Sequence, residues 1–189
     1  MEITLIIEGQ RPLLMHNGRL ANPLDPHTRA LKALTGKRTK TDEDLAAICL
    51  VEARGGCWET SDGLLGIPNA AVWRCIYDAA KAFKRGEDIK RSLITDDLTV
   101  PLTVHGGPVS CDDWLTDPAH IDYRPVKISG RKTMRARPRV EPWAAEHTFE
   151  LLTEVMDPRD LVPILERAGK LVGLGDCRPT YGAFKVAIG

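Results

Sequence analysis

The spacing of apolar positions changes several times along the chain, and each change marks an element. Glu2–Glu8 is β-branched, apolar and nearly alternating, which predicts a strand. Gly9-Gln10-Arg11-Pro12 breaks it, and Leu13-Leu14-Met15 resumes an apolar run that ends at His16-Asn17-Gly18-Arg19. After Pro68-Asn69 the period becomes helical: Val72, Trp73, Ile76, Ala79, Ala80 and Phe83 share one broad face, with Asn69 as cap and Gly86 as stop. His147–Val155 predicts a second long strand. Leu161, Ile164, Leu165, Ala168 and Leu171 predict a helix over 158–172, which Pro163 should kink or restart. Ala183–Ile188 closes the chain as a strand.

Weaker signals lie between these. Asp25 and Pro26 open a short helix that stops at Gly36, and Thr41 with Asp42-Glu43-Asp44 opens another that ends at Gly55-Gly56. Ser61-Asp62-Gly63 reads as a hairpin turn. Residues 87–122 read as irregular apart from a short strand at Leu98–Val104.

Residues 124–140 read as one extended segment with unusual chemistry. Arg135, Arg137 and Arg139 recur with period two and so share a face, while Met134, Ala136 and Val140 turn the other way, towards a core. The order strand, helix, strand, strand, helix, strand makes this an α+β chain with a ferredoxin-like (RRM-like) βαββαβ core and helical and irregular insertions. A single domain covers 1–189, with insertions at 19–68 and 86–122. In such a core the helices cover one face of the sheet, and the arginine stripe would lie on the open one.

Charge sharpens this picture. The chain is formally neutral, with 26 Lys and Arg against 26 Asp and Glu. Yet residues 86–122 carry eight acids against Lys90 and Arg91, net −6, and residues 123–139 carry seven cations and no acid. Lys127, Arg131, Lys132, Arg135, Arg137 and Arg139 suit a polyanion such as nucleic acid, or the acidic segment of another copy. Tyr181 and Trp114 are the candidate base stackers, while Trp58, Trp73, Trp143 and Phe149 occupy core-like positions.

Other chemistry is sparse. The five cysteines are odd in number, widely spaced and without a CxxC pair, which predicts free thiols in a reducing cytoplasm. The N-terminus lacks the build of a signal peptide, and no apolar run approaches the ~20 residues needed to cross a bilayer. His27, His105, His120 and His147 lack the spacing of metal ligands or a triad, and Asp96-Asp97 and Asp112-Asp113 read as solvated acids. Neither a metal nor a cofactor is implied. His16, just after the first strand, is the one candidate catalytic residue, as a general acid or base.

Three segments together resemble the RAMP superfamily, whose ferredoxin-like subunits form the backbone of CRISPR effector complexes. They are the opening strand running into Pro12-Leu13-Leu14-Met15-His16-Asn17-Gly18, the helix entry Gly66-Ile67-Pro68-Asn69-Ala70-Ala71-Val72-Trp73, and Val172-Gly173-Leu174-Gly175 through Arg178, Tyr181, Gly182, Ala183 and Phe184. They cover about a third of the chain, and Asn69 stands where the family pattern has glycine. The resemblance implies a protein that binds single-stranded RNA, or DNA, and self-associates head-to-tail along the strand, without a membrane. His16, Asn17, Arg19, Arg178 and Tyr181 then join the cations of 127–139 as contacts. It also admits a RAMP-type endoribonuclease using His16. A phage protein-interaction module that mimics a host RAMP subunit is the remaining alternative.

Overall fold

The computed structural model describes every residue of the chain except Ser129 and the side chain of Ile128. The elements run β1 (Glu2–Gly9), β2 (Leu13–Leu14), α1 (Pro26–Thr35), α2 (Asp42–Gly56), β3 (Gly66–Pro68), α3 (Asn69–Ala80), α4 (Gly86–Ser92), β4 (Leu93–Ile94), β5 (Thr99–Pro101), α5 (Cys111–Trp114), β6 (Ile121–Ile128), β7 (Arg131–Val140), β8 (Ala144–Leu151), α6 (Pro158–Arg167) and β9 (Phe184–Ile188). The protein is α+β, with antiparallel pairing throughout its described sheets.

The main sheet has the order β4-β8-β1-β9. Its strands alternate cleanly. Ile3, Leu5, Ile7, Ala145, Phe149, Leu151 and Phe184 are buried in the core with Val72, Ile76, Leu161, Ile164 and Leu165 of α3 and α6. The opposite face is open and exposes Glu2, Glu8, Glu146 and Glu150 against Lys185 alone among charged residues of these strands. This overturns one expectation: the open face is acidic and carries none of the arginines. The segment 124–140 is likewise not a single strand of this sheet. Gly130, at φ +83°, allows the chain to reverse, so β6 and β7 form a hairpin whose other partner is β2, in a separate three-stranded sheet. The second strand of the main sheet comes instead from Leu93–Ile94, inside the stretch read as an irregular insertion. α4 also lies there.

Several local expectations hold. Asp25 accepts from the N–H groups of His27 and Thr28 at the start of α1, and Thr41 and Asp44 form a reciprocal capping box on α2. Others do not. Asn69 is not a cap; it begins α3, and its buried side chain donates to Asp96 while accepting from His147 Nδ1–H. α3 ends at Ala80, and Phe83, the last residue of a short 3-10 turn, is 43% exposed. Trp73 is half-buried and donates to the Leu93 carbonyl. Trp114 is buried, stacks on His120 with centroids 3.6 Å apart and donates to the Arg139 carbonyl, so it is not free to stack on bases. Met134 is 41% exposed, although Ala136 and Val140 face the core as expected. α6 contains Pro163 and gives way at Ala168 to a π-helical turn.

Cys57 and Cys111 form a disulfide, which corrects the expectation of five free thiols and ties the end of α2 to α5. Around it, Arg19 and Arg54 share Glu59, and Arg54 also pairs with Asp112.

Candidate nucleic-acid interface

The β6–β7 hairpin presents its cations in two sets, because facing residues in an antiparallel ladder share a side. Arg124 lies opposite Arg135, on the side that Arg131 shares, whereas Lys127 lies opposite Lys132 on the other side. The six cations of 127–139 therefore do not form one stripe. Two like-charged side chains directly across a ladder repel unless a counter-ion is supplied. At the base of the hairpin the counter-ions come from within the chain. Arg124 is chelated by both oxygens of Asp122, which holds its guanidinium pKa above the usual value, and Arg135 Nη1 donates to Glu52 at 2.8 Å. Glu52 is 6% exposed, and its second oxygen accepts the Ala136 N–H at 3.0 Å. At the far end, Lys127, Arg131 and Lys132 are exposed, and none is in an ion pair among the described residues.

The other two arginines are also neutralised. Arg137 is 7% exposed and donates through Nε to Asp176 at 2.6 Å, while its Nη1 is buried without a partner. Arg139 pairs with Glu141 at the surface. Partial burial pushes the Asp176 carboxyl up, but the Cys177 N–H, Arg137 and the nearby His16 outweigh it and hold the group below the usual carboxylate range.

A cleft of about 520 Å³ opens beside this ladder. His16, exposed, stands at its rim; Lys127, Arg135 and Arg137 line it from the hairpin, Leu20 and Leu31 give it an apolar wall, and Glu52 and Asp176 neutralise two of its cations. Four of the sequence-predicted residues thus meet in one place. The cleft also depends on the loop after α6. Gly175, at φ +74°, packs where a Cβ would lie 2.3 Å from the Leu14 carbonyl oxygen, and Asp176 N–H donates to that same oxygen. The glycines of this loop serve close approaches of backbone to backbone within the chain.

Asn17 and Arg19 are structural. Asn17 caps the Arg19 N–H and donates to the Cys57 carbonyl, and Arg19 is spent on the Gly55 and Cys57 carbonyls and Glu59. Tyr181 lies under the Arg124 guanidinium, 4.3 Å from its ring centroid, and Arg178 reaches the Gly173 carbonyl.

The sequence reading did not find Glu52, Asp176 or Arg124. Glu52 had a signal, since it adjoins Ala53 and the close-packing pair Gly55-Gly56 at the end of α2; Asp176 had none, because its pairing depends on a loop crossing from the far end of the chain. Among the described residues no three His, Cys, Asp or Glu side chains group as a metal site, and no helix is long and apolar enough to cross a membrane. No protein-family model matches the chain, and no curated protein matches it in sequence.

Proposed function

We propose that this protein binds single-stranded nucleic acid, RNA in preference to DNA, at the end of the β6–β7 hairpin and along the neighbouring cleft, and that it is a RAMP-type subunit that self-associates head-to-tail. The observation that carries the reading is the facing pair Lys127 and Lys132. With Arg131 they are the cations of the hairpin that lack a carboxylate among the described residues, at a spot where an external polyanion would relieve their repulsion. The cleft extends this surface with an apolar wall against which a base fits. In support of a ferredoxin-like core, the main sheet runs β9-β1-β8-β4, with α3 between the first and second of its strands in sequence and α6 between the third and fourth. The preference for RNA rests on the resemblance alone.

Three phosphate contacts give a log–log salt slope of about −2 for a single strand. Replacing Lys127, Arg131 and Lys132 together by Ala should flatten the slope by about that amount and weaken binding roughly a hundredfold at 0.1 M salt, read by fluorescence anisotropy on a labelled oligonucleotide. Arg139→Ala should change neither. An unchanged slope in the triple variant places the site elsewhere. His16, at the cleft rim near Asp176, favours a second reading as an endoribonuclease. Labelled RNA that remains intact with the wild type and is retained by it excludes cleavage.

A further inference from the structure

The main sheet ends at β9 in an edge left open over most of its length. β9 pairs with β1 alone, in the register that sets Ile7 opposite Val186 and Leu5 opposite Ile188. The Gly189 N–H donates to the Thr4 carbonyl, and the Ala183 carbonyl accepts from the Gln10 and Arg11 N–H groups. Odd-numbered residues of this strand therefore turn their backbone groups to β1, and Val186 and Ile188 turn theirs outward. Among the described residues these two N–H and two C=O groups have no partner. Phe184 is different. A Cβ on Gly169 would lie 2.2 Å from its carbonyl oxygen, so the π-helical turn after α6 closes that end of the edge.

A groove follows the open part, between β9 and α6. Towards Phe184 it measures about 570 Å³, with Arg11, Lys170 and Lys185 on its rim against Glu166. Towards Ile188 it measures about 250 Å³ and is walled by Val162 and Leu165. Glu166 and Val186 border both parts. The three cations are exposed, and none is in an ion pair among the described residues. The groove is thus apolar at one end and cationic at the other. β9 carries no acidic residue, so the same strand of a second copy, laid edge to edge, would supply no side-chain carboxylate.

An added strand would use both ends at once. A segment antiparallel to β9 starts beside Ile188 and finishes beside Phe184, so its last residues arrive at the cations. Its residues opposite Ile188 and Val186 take the four outward hydrogen bonds and turn their side chains to the α6 side, where Val162 is 42% exposed. The next residue falls opposite Lys185, on the open face, in a non-hydrogen-bonded pair whose side chains approach closely. The one after it turns back to the side of Lys170. Apolar, any, apolar, acidic, acidic is the order that fits.

We propose that this edge binds an extended segment of another protein, antiparallel to β9, in which alternating apolar residues are followed by two acidic ones. The inference goes beyond the nucleic-acid reading and does not depend on it.

The probe is a fluorescein-labelled, C-terminally amidated peptide, Val-Thr-Val-Glu-Glu, read by anisotropy and by amide hydrogen exchange on the full chain. Saturating peptide should slow exchange at Val186 and Ile188 at least about tenfold and leave Ala187, already bonded to β1, little changed. A peptide ending in Lys-Lys should bind at least about tenfold more weakly, and added salt should narrow that gap. Methylating the peptide nitrogen that faces Val186 should weaken binding about tenfold. Lys185→Glu should reverse the preference between the two peptides; should that variant not fold, Lys170→Glu must narrow it. No binding at about 1 mM peptide, equal binding of both peptides, an unaffected methylated peptide or unslowed exchange at Val186 and Ile188 would each overturn the proposal. So would an oligonucleotide that displaces the peptide, which would give these cations to nucleic acid. Wild-type self-association that the peptide reverses in sedimentation velocity would give the edge to a second copy and overturn it as well.

Discussion

The β6–β7 hairpin and the open face of the main sheet are both exposed antiparallel surfaces dominated by one sign of charge, yet they treat that charge differently. In the hairpin, Arg135, Arg137 and Arg139 each find a carboxylate, from α2, from the loop after α6 and from the turn after β7. On the sheet, Glu2 faces Glu150 directly, and of the open face's glutamates only Glu8 faces a cation, Lys185. The arginine-rich run is thus largely neutral at its base and free at its end, whereas the sparser glutamates keep most of their charge. Tertiary pairing, not the density of like residues in sequence, decides which surface retains a field.

The contrast is most easily broken at Glu52. Replacing it by Ala leaves the Ala136 N–H buried without an acceptor and the Arg135 guanidinium facing Arg124 without its anion. The cost should be about 4 kcal/mol, read as a lower urea midpoint. A loss below about 1 kcal/mol would show that the hairpin does not depend on this carboxylate.

The sheet has its own buried titratable group. His147, on β8, is fully buried against Asn69 of α3, and burial pushes its pKa down to about 4. The unfolded chain titrates near 6.5 and so binds the proton more readily than the folded one between these values. Stability should therefore be highest above pH 6.5 and fall by roughly 3 kcal/mol as pH drops towards 4. His147→Asn retains a donor towards Asn69 Oδ1 and should flatten that pH dependence in denaturant titrations. A profile unchanged from wild type would assign it to other groups.

The smallest effect concerns the sheet's open face. Glu150→Gln removes one member of the facing pair with Glu2 and should raise stability by about 0.5 kcal/mol at low ionic strength, with the gain vanishing in high salt. The Lys127/Arg131/Lys132 variant should show the same sign of change, since it too removes like charges that face each other.

Much of the secondary structure was legible in the sequence because the signals are local. The caps Asp25 and Thr41, the alternation of β1 and the apolar face of α3 depend only on residues within a few positions of one another, whereas the strand expected at His147–Val155 lies at Ala144–Leu151. The misreadings share a cause. Gly130 was read within a continuous strand because alternation persists on both sides of a tight reversal, and Leu93-Ile94 is too short for any periodicity. The site was half legible: the hairpin cations and His16 are visible as residue types, but their neutralisation by Glu52 and Asp176 spans 83 and 39 positions. Asn69 seemed a cap because Asn before an apolar helix usually is one. Only the fold brings His147 and Asp96 to its side chain.

The position of β1 has a consequence for synthesis. Its strand partners are β8 and β9, so residues 2–9 have no place in a sheet until residue 151 has been made. At about 5–20 residues per second, that leaves Ile3, Leu5, Ile6 and Ile7 waiting roughly ten seconds or more on the nascent chain. A β-branched apolar run held that long is a site for pairing with the wrong chain. Glu2 and Glu8 bracket it, and a charge at each end of such a segment opposes intermolecular stacking. Two of the four glutamates on the finished sheet's open face thus also guard its first strand while it has no partner.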